Sequence, residues 1–291
     1  MTFQMSDQAA KLRRKLELLR NKRHAKTIAV ISGKGGVGKS NFALNFSLGL
    51  LKKGKKVLIF DLDIGMGNID ILLGLSAKQS IANMFTHNLS IHDIIEVGPN
   101  SLSYIAAGSG LSDIFTMDQQ KFTYFLDQLE DLMTSYDYII FDMGAGITHG
   151  SLYYMLAADE CIVITTPEPT SMTDAYAIIK HITNHNFNLP LLVLVNRIPN
   201  FKTGQEALER LQKVVQRFLH RDIIPLGLLP EDKTVVKAVT SQTPFMIYNP
   251  AADVSLALSQ IVDQYVSDSI NISETVPFSF VKRLKQLITE R

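Results

Sequence analysis

Two lysines, three aspartates and a run of glycines are spaced in this chain as phosphate chemistry requires. The stretch SGKGGVGKSN, residues 32–41, follows the apolar run TIAVIS and precedes an apolar segment of helical period. Its glycines free backbone N–H groups to curl around phosphate oxygens, and a helix beginning at about Lys39 adds the favourable end of its dipole. Lys39 can neutralise the β and γ charges of a nucleotide, and the Ser40 hydroxyl can face Mg2+. The candidate nucleotide-binding residues here are Gly33, Lys34, Gly35, Gly36, Val37, Gly38, Lys39, Ser40 and Asn41. Lys34 exceeds what such a loop needs.

The carboxylates stand at the ends of two other apolar runs. VLIFDLD delivers Asp61 and Asp63, two residues apart in an extended segment and so pointing the same way. YIIFDMGAG delivers Asp142, with Gly144 and Gly146 just beyond it.

The elements that must position these groups are legible as an alternation. The runs TIAVIS, KVLIFDLD, SYIAAG, YDYIIFDMG, CIVITTP, LLVLVN and IIPLGLLP alternate with segments of helical period such as 122–133 and 207–219. This pattern predicts an α/β fold with a doubly wound, mainly parallel sheet buried on both faces, and functional residues at the C-terminal strand ends. Three pieces are expected: a basic helix within 1–25, an α/β body over 26–268, and a linker with an amphipathic helix over 269–291.

Composition narrows the class. Of the 291 residues 46% are hydrophobic and 20% charged, the balance of a packed core rather than a disordered chain. Net charge is only +1, so no whole-molecule field favours nucleic acid, and none is expected as a partner. The lone cysteine, Cys161, has no partner for a disulfide or a bridging metal cluster, and the seven histidines form no ligand-spaced group. No stretch approaches a membrane-spanning length and the N-terminus has no apolar signal core, so the expected address is cytoplasmic.

The spacing GKGGVGKS resembles the deviant Walker A loop of the MinD/ParA ATPases, a P-loop NTPase family of SIMIBI-type topology. That resemblance implies an ATP-dependent homodimer in which Lys34 reaches the partner's nucleotide, as an arginine finger would. It implies that Asp63 orients the attacking water, that Asp61 touches the magnesium hydration shell, and that Asp142 is the Walker B-like acid at the metal. The implied catalytic set is Lys34, Lys39, Asp63 and Asp142, and the implied metal set Ser40, Asp61 and Asp142. LVLVNRIPN and GLLPEDKTVVKA resemble the family's base-binding segments, implicating Asn196, Arg197, Pro230, Glu231 and Asp232. ATP/ADP with Mg2+ is the implied cofactor, a choice over GTP supported by the absence of NKxD.

Both ends carry amphipathic patterns. On a helix, Phe280, Val281, Leu284, Leu287 and Ile288 share a face, with Lys282, Arg283 and Lys285 away from it or at its borders. Roughly 16 Å of helix cannot cross a hydrocarbon layer of about 30 Å, so the segment would lie in the interface against anionic lipid. It resembles the MinD membrane-targeting helix, and Phe278 is included in the lipid-binding set. A helix packed on its own body is the competing expectation. At the other end, Leu12, Leu16 and Leu19 form a stripe among Lys and Arg. Asp7, Gln8, Ala9, Leu12 and Arg13 resemble the DQAxxLR motif of the FlhG (YlxH) branch of flagellar-number regulators. Membership in that branch implies stimulation of the GTPase FlhF through this helix and contact with flagellar C-ring components. A MinD-type division regulator, a ParA-type DNA segregation ATPase, a metal-cluster carrier and a low-turnover nucleotide scaffold are the alternatives.

Overall fold

The strand that feeds the glycine loop, β1 (Lys26–Ile31), lies inside an eight-stranded sheet in the computed structural model, which describes residues 24–63, 67–87, 89–106, 119–269 and 279–289. After the loop come α1 (Lys39–Lys52), β2 (Val57–Leu62), α2 (Ile69–Leu73) and α3 (Ile81–Thr86). Then follow β3 (Ile95–Val97), β4 (Ser103–Ile105), α4 (Gln119–Ser135), β5 (Tyr138–Met143), α5 (His149–Ala157) and β6 (Glu160–Thr165). The second half adds α6 (Pro169–His185), β7 (Leu191–Ile198), α7 (Phe201–Leu219), β8 (Ile224–Pro230), α8 (Lys233–Thr240), α9 (Phe245–Tyr248), α10 (Asp253–Ser269) and α11 (Phe280–Thr289).

The strand order is β3-β4-β2-β5-β1-β6-β7-β8, and every pairing is parallel except β3 with β4. Every residue of β2, β5 and β6 is buried, as strands covered on both faces require. The two faces hold separate cores. One packs α3 to α7 and α11 around Phe60, Phe141 and Tyr154; the other packs α1, α2 and α8 to α10 around Phe42, Phe46 and Tyr265. At the far edge, β8 carries Pro225 and Pro230, which cannot donate to a further strand.

Chain order reverses across β1: β2 lies beyond β5 on one side, whereas β6, β7 and β8 follow on the other. The crevice at such a switch point, at the C-terminal strand ends, is where open α/β sheets place ligands. The opposite rim is tied by acids. Asp159 accepts from the Thr27 backbone N–H and hydroxyl, both at 2.7 Å, and Asp137 accepts from the Lys56 N–H at 2.8 Å.

Candidate functional site

The loop after β1 closes around backbone conformations that suit glycine. Gly36 has φ 76° and Gly38 φ 95°, the left-handed region, and Gly38 opens α1 with no side-chain cap on its first N–H groups. Gly33 packs so closely on α6 that a Cβ there would collide with the backbone of Asp174. Ser32, Gly35, Gly36, Gly38, Lys39, Ser40, Asn41, Asp63 and Asn68 line a chamber of about 260 Å3 with Ala145 and Arg197.

The two lysines of this loop have different settings. Lys39 is only 7% exposed, and its Nζ lies 2.7 Å from Asp142 Oδ1. The other oxygen, Asp142 Oδ2, is buried with no hydrogen-bond partner. Lys34 stands outside the chamber with 44% of its side chain exposed, resting 3.4 Å from both Glu168 Oε2 and Thr170 Oγ1 at the start of α6.

The strand pairing explains the acid cluster. Asp61 of β2 is the direct cross-strand partner of Asp142 of β5. Asp61 accepts from the N–H groups of Asp63, Asn68 and Ile69 at 3.0–3.2 Å, yet burial and then the charge of Asp142 push its pKa up to about 7. Burial also raises Asp63, with Lys39 opposing and Asp142 adding. Gly144 lies against the Asp63 carboxylate, and Gly146, at φ 78°, donates its N–H to Ser32 O.

A second chamber of about 300 Å3 adjoins the first. Its lining includes Asn196, Arg197, Pro230, Glu231 and Asp232, the residues expected at a base, together with Phe42, Val235, Val236 and Phe245. Asn196 spends one amide donor on Val37 O at 2.8 Å, so it joins β7 to the phosphate loop. Arg197 follows in the left-handed region, φ 55°. Asp232 caps α8 through Thr234 N and reaches Val254 N; burial alone would raise its pKa, but these hydrogen bonds hold it below the usual value. Its part here is to shape the wall.

A magnesium nucleotide fits what is present. The left-handed glycines leave N–H groups uncapped for phosphate, Asp142 Oδ2 is a buried acceptor without a partner beside the chamber-lining Lys39, and the second chamber has one apolar wall. Asn68, Glu168 and Thr170 were missed by the motif reading. Asn68 follows the Asp61/Asp63 pair by a few residues, and Glu168 sits at the exit of β6, so the strand-end rule that found the aspartates would have found both.

The terminal residues divide. Asp7, Gln8, Ala9, Leu12, Arg13 and Phe278 lie outside the described residues. α11 is docked: Phe280 stacks on Phe141 at 4.9 Å between ring centroids, Val281 and Leu284 are buried, and Leu287 and Ile288 are partly buried on α4 and α5. Lys282 and Lys285 face outward as expected. Arg283 does not: it donates to Ala157 O at 2.7 Å and to Asp159 at 2.6 Å, because α5 ends there with an unpaired carbonyl beside an acid.

Comparison with known proteins identifies the family. The ParA profile, described as NUBPL iron-transfer P-loop NTPase, matches residues 23–266. The chain belongs to the ParA/MinD family of P-loop NTPases. The antiactivator FleN of Pseudomonas aeruginosa is 32% identical to it over 237 residues, covering 81% of this chain and 85% of FleN. The flagellum site-determining protein YlxH of Helicobacter pylori is 33% identical over 271 residues, 91% of each chain. The septum site-determining protein MinD of Pyrococcus horikoshii, solved with Mg-ADP, superposes with a TM-score of 0.67 at 21% identity, over 87% of this chain and 100% of that one. Among the described residues no helix is long and apolar enough to cross a membrane.

Proposed function

We propose that this ParA/MinD-family chain is an ATP-hydrolysing switch that pairs with a second copy across two nucleotides, docks on the cytoplasmic membrane through its tail, and regulates flagellar number and placement. The observation that carries the enzymatic part is the contrast between the two lysines. Lys39 is buried in the chamber on Asp142, set to release that acid for phosphate, whereas Lys34 is held outside by two 3.4 Å contacts and is free to reach another subunit. The similarity to FleN and YlxH supports the flagellar part.

In this reading Lys39 and the loop N–H groups hold the triphosphate, and Asn196 and Arg197 with Pro230 and Glu231 border the base. Ser40, Asp61 and Asp142 would hold Mg2+, which supplies charge neutralisation between the phosphates. Asp63 orients the attacking water, and Lys34 of the second copy stabilises charge on the transferring phosphoryl group. In the same reading three parts serve the switch: the basic N-terminal segment meets the GTPase FlhF, the body hydrolyses ATP and meets C-ring components, and α11 exchanges its groove for anionic lipid. Size-exclusion chromatography with ADP and with ATP, followed by vesicle flotation, tests it. A dimer with ATP alone, floating only in that state, is expected; a monomer at saturating ATP would refute the reading.

A further inference from the structure

The switch described above leaves one strongly basic turn without a part. Residues 52–56, Lys-Lys-Gly-Lys-Lys, join α1 to β2, and Gly54 makes the reversal at φ 73°. Lys52, Lys53 and Lys56 are exposed and Lys55 is half-buried. The turn sits on the rim where β2, β5, β1 and β6 begin, since Val57 and Lys26 both register with Tyr138 and Ile28 registers with Glu160. That rim faces away from the nucleotide chamber.

The acids placed on this rim are already engaged. Asp263 pairs with Lys53, and Glu160 pairs with Lys26 at 2.7 Å while accepting from the Tyr265 phenol. Asp137 accepts from the Lys56 N–H, and Asp159 is taken by Thr27 and Arg283. Among the described residues Lys52, Lys55 and Lys56 therefore have no ion-pair partner. In a chain of net charge +1 this is a local positive field, not a share of a general one.

The tail leaves from the same place. α10 runs back to this rim, where Tyr265 meets Glu160, and it ends about one helical turn later at Ser269. α11 is latched to the rim as well, through Arg283 on Asp159. A tail helix lying in a bilayer interface sits among the headgroups, so its root brings this rim to the lipid surface. We infer that the turn at 52–56 is a second membrane contact, in which Lys52, Lys55 and Lys56 take the phosphates of anionic phospholipids once the tail has entered the bilayer. This rests on the tail reading. A lysine near an anionic surface strengthens binding about fivefold, with an effect that salt screens.

The test compares the full-length protein with its Lys52→Gln/Lys55→Gln/Lys56→Gln triple variant in ATP, on vesicles of phosphatidylcholine alone and of phosphatidylcholine with phosphatidylglycerol. On the mixed vesicles the triple variant should need roughly ten- to a hundredfold more lipid for half-binding, with a flatter salt dependence, and the corresponding Lys→Arg triple should restore both. ATP-dependent dimerisation and turnover should be unchanged in either variant, as the turn is remote from the nucleotide. If the wild type floats and the Gln variant floats equally well, the turn is a solvated surface and the inference fails while the tail reading stands. If the wild type floats on neither vesicle, the tail reading fails and the inference with it. Lysine-dependent retention of duplex DNA with no loss of flotation would assign the turn to nucleic acid instead and overturn it.

Discussion

Lys34 and Lys39 share one loop but meet different acids, and the two substitutions should separate. Lys39→Ala removes the cation at the phosphates and leaves Asp142 buried without a partner, so affinity for a fluorescent ATP analogue should fall steeply. Lys34→Ala should leave that affinity nearly intact while abolishing ATP-dependent dimerisation and turnover; equal loss of affinity would place Lys34 in its own subunit's site. Glu168→Gln loosens only an exposed pair, worth at most about 1 kcal/mol, and should preserve dimerisation. Asp61 gives a pH signature. Its pKa is raised from 3.8 to about 7, so the folded chain keeps a proton that the unfolded chain releases within that window. Stability of the nucleotide-free protein should therefore be greatest at the acid end, decline as pH rises through that window and level off above about pH 7, by an amount on the order of 4 kcal/mol. Asp61→Asn should flatten that slope in thermal melts; an unchanged slope would mean that Asp61 is ionised in the fold. The glycine loop and the aspartates were legible because their chemistry fixes residue type and spacing. The strand-end rule could have flagged Glu168 after β6, but not that it and Thr170 hold Lys34, because those are tertiary contacts across 134 and 136 residues of chain.

At the scale of elements, each apolar run read from the sequence became a strand, since burial on both faces leaves continuous runs of Val, Ile, Leu and Phe. β3 stayed hidden: three residues paired antiparallel at an edge carry no run and no period. The helix seen over 207–219 begins earlier, at Phe201, where the Asn200 side chain accepts from Thr203 N. α11 shows a different limit. Its apolar face was correctly drawn, but the same face suits lipid or a protein groove, and periodicity cannot choose between them. Arg283 is the residue that distinguishes the two states. Its contacts to Ala157 O and Asp159 exist only in the docked one, and hydrogen bonds to a charged group contribute about 1.5–3 kcal/mol. Arg283→Gln should shift the helix toward the free state by roughly ten- to a hundredfold, read as faster amide exchange over 280–289 without a change in the core strands. Unchanged exchange would mean that the apolar face alone holds α11. Leu284→Glu should undock the helix as well, yet fail to float, because its carboxylate opposes both surfaces.

At the scale of the whole molecule, the nucleotide chamber and the root of the tail lie at opposite ends of the same strands, so the proposed dimerisation and membrane contact would not compete for surface. In the proposed dimer two tails would act at a raised effective concentration, which would multiply affinity by ~10² or more without a new contact. Asp63→Ala should keep phosphate affinity, block hydrolysis and lengthen the life of the ATP dimer on vesicles; a variant that stayed monomeric in ATP would contradict the paired arrangement. The N-terminal segment is separable by the same logic. β1 begins at Lys26, and the strand is held from there onward by Asp137 O, by Asp159 and by its pairing with β5 and β6, and just ahead of it the buried Ala25 donates its N–H to Met133 O. Deleting residues 2–20 therefore takes away the DQAxxLR segment and its leucine stripe while leaving in place the hydrogen bonds that join the described residues of the body. The shortened protein should bind nucleotide, dimerise with ATP and float as the full chain does, yet fail to accelerate GTP hydrolysis by FlhF, and a peptide of those residues should accelerate it unaided. A truncated chain that still stimulated the GTPase would move that activity to the body, while one that lost dimerisation too would show that the segment is part of the switch and not an appendage to it.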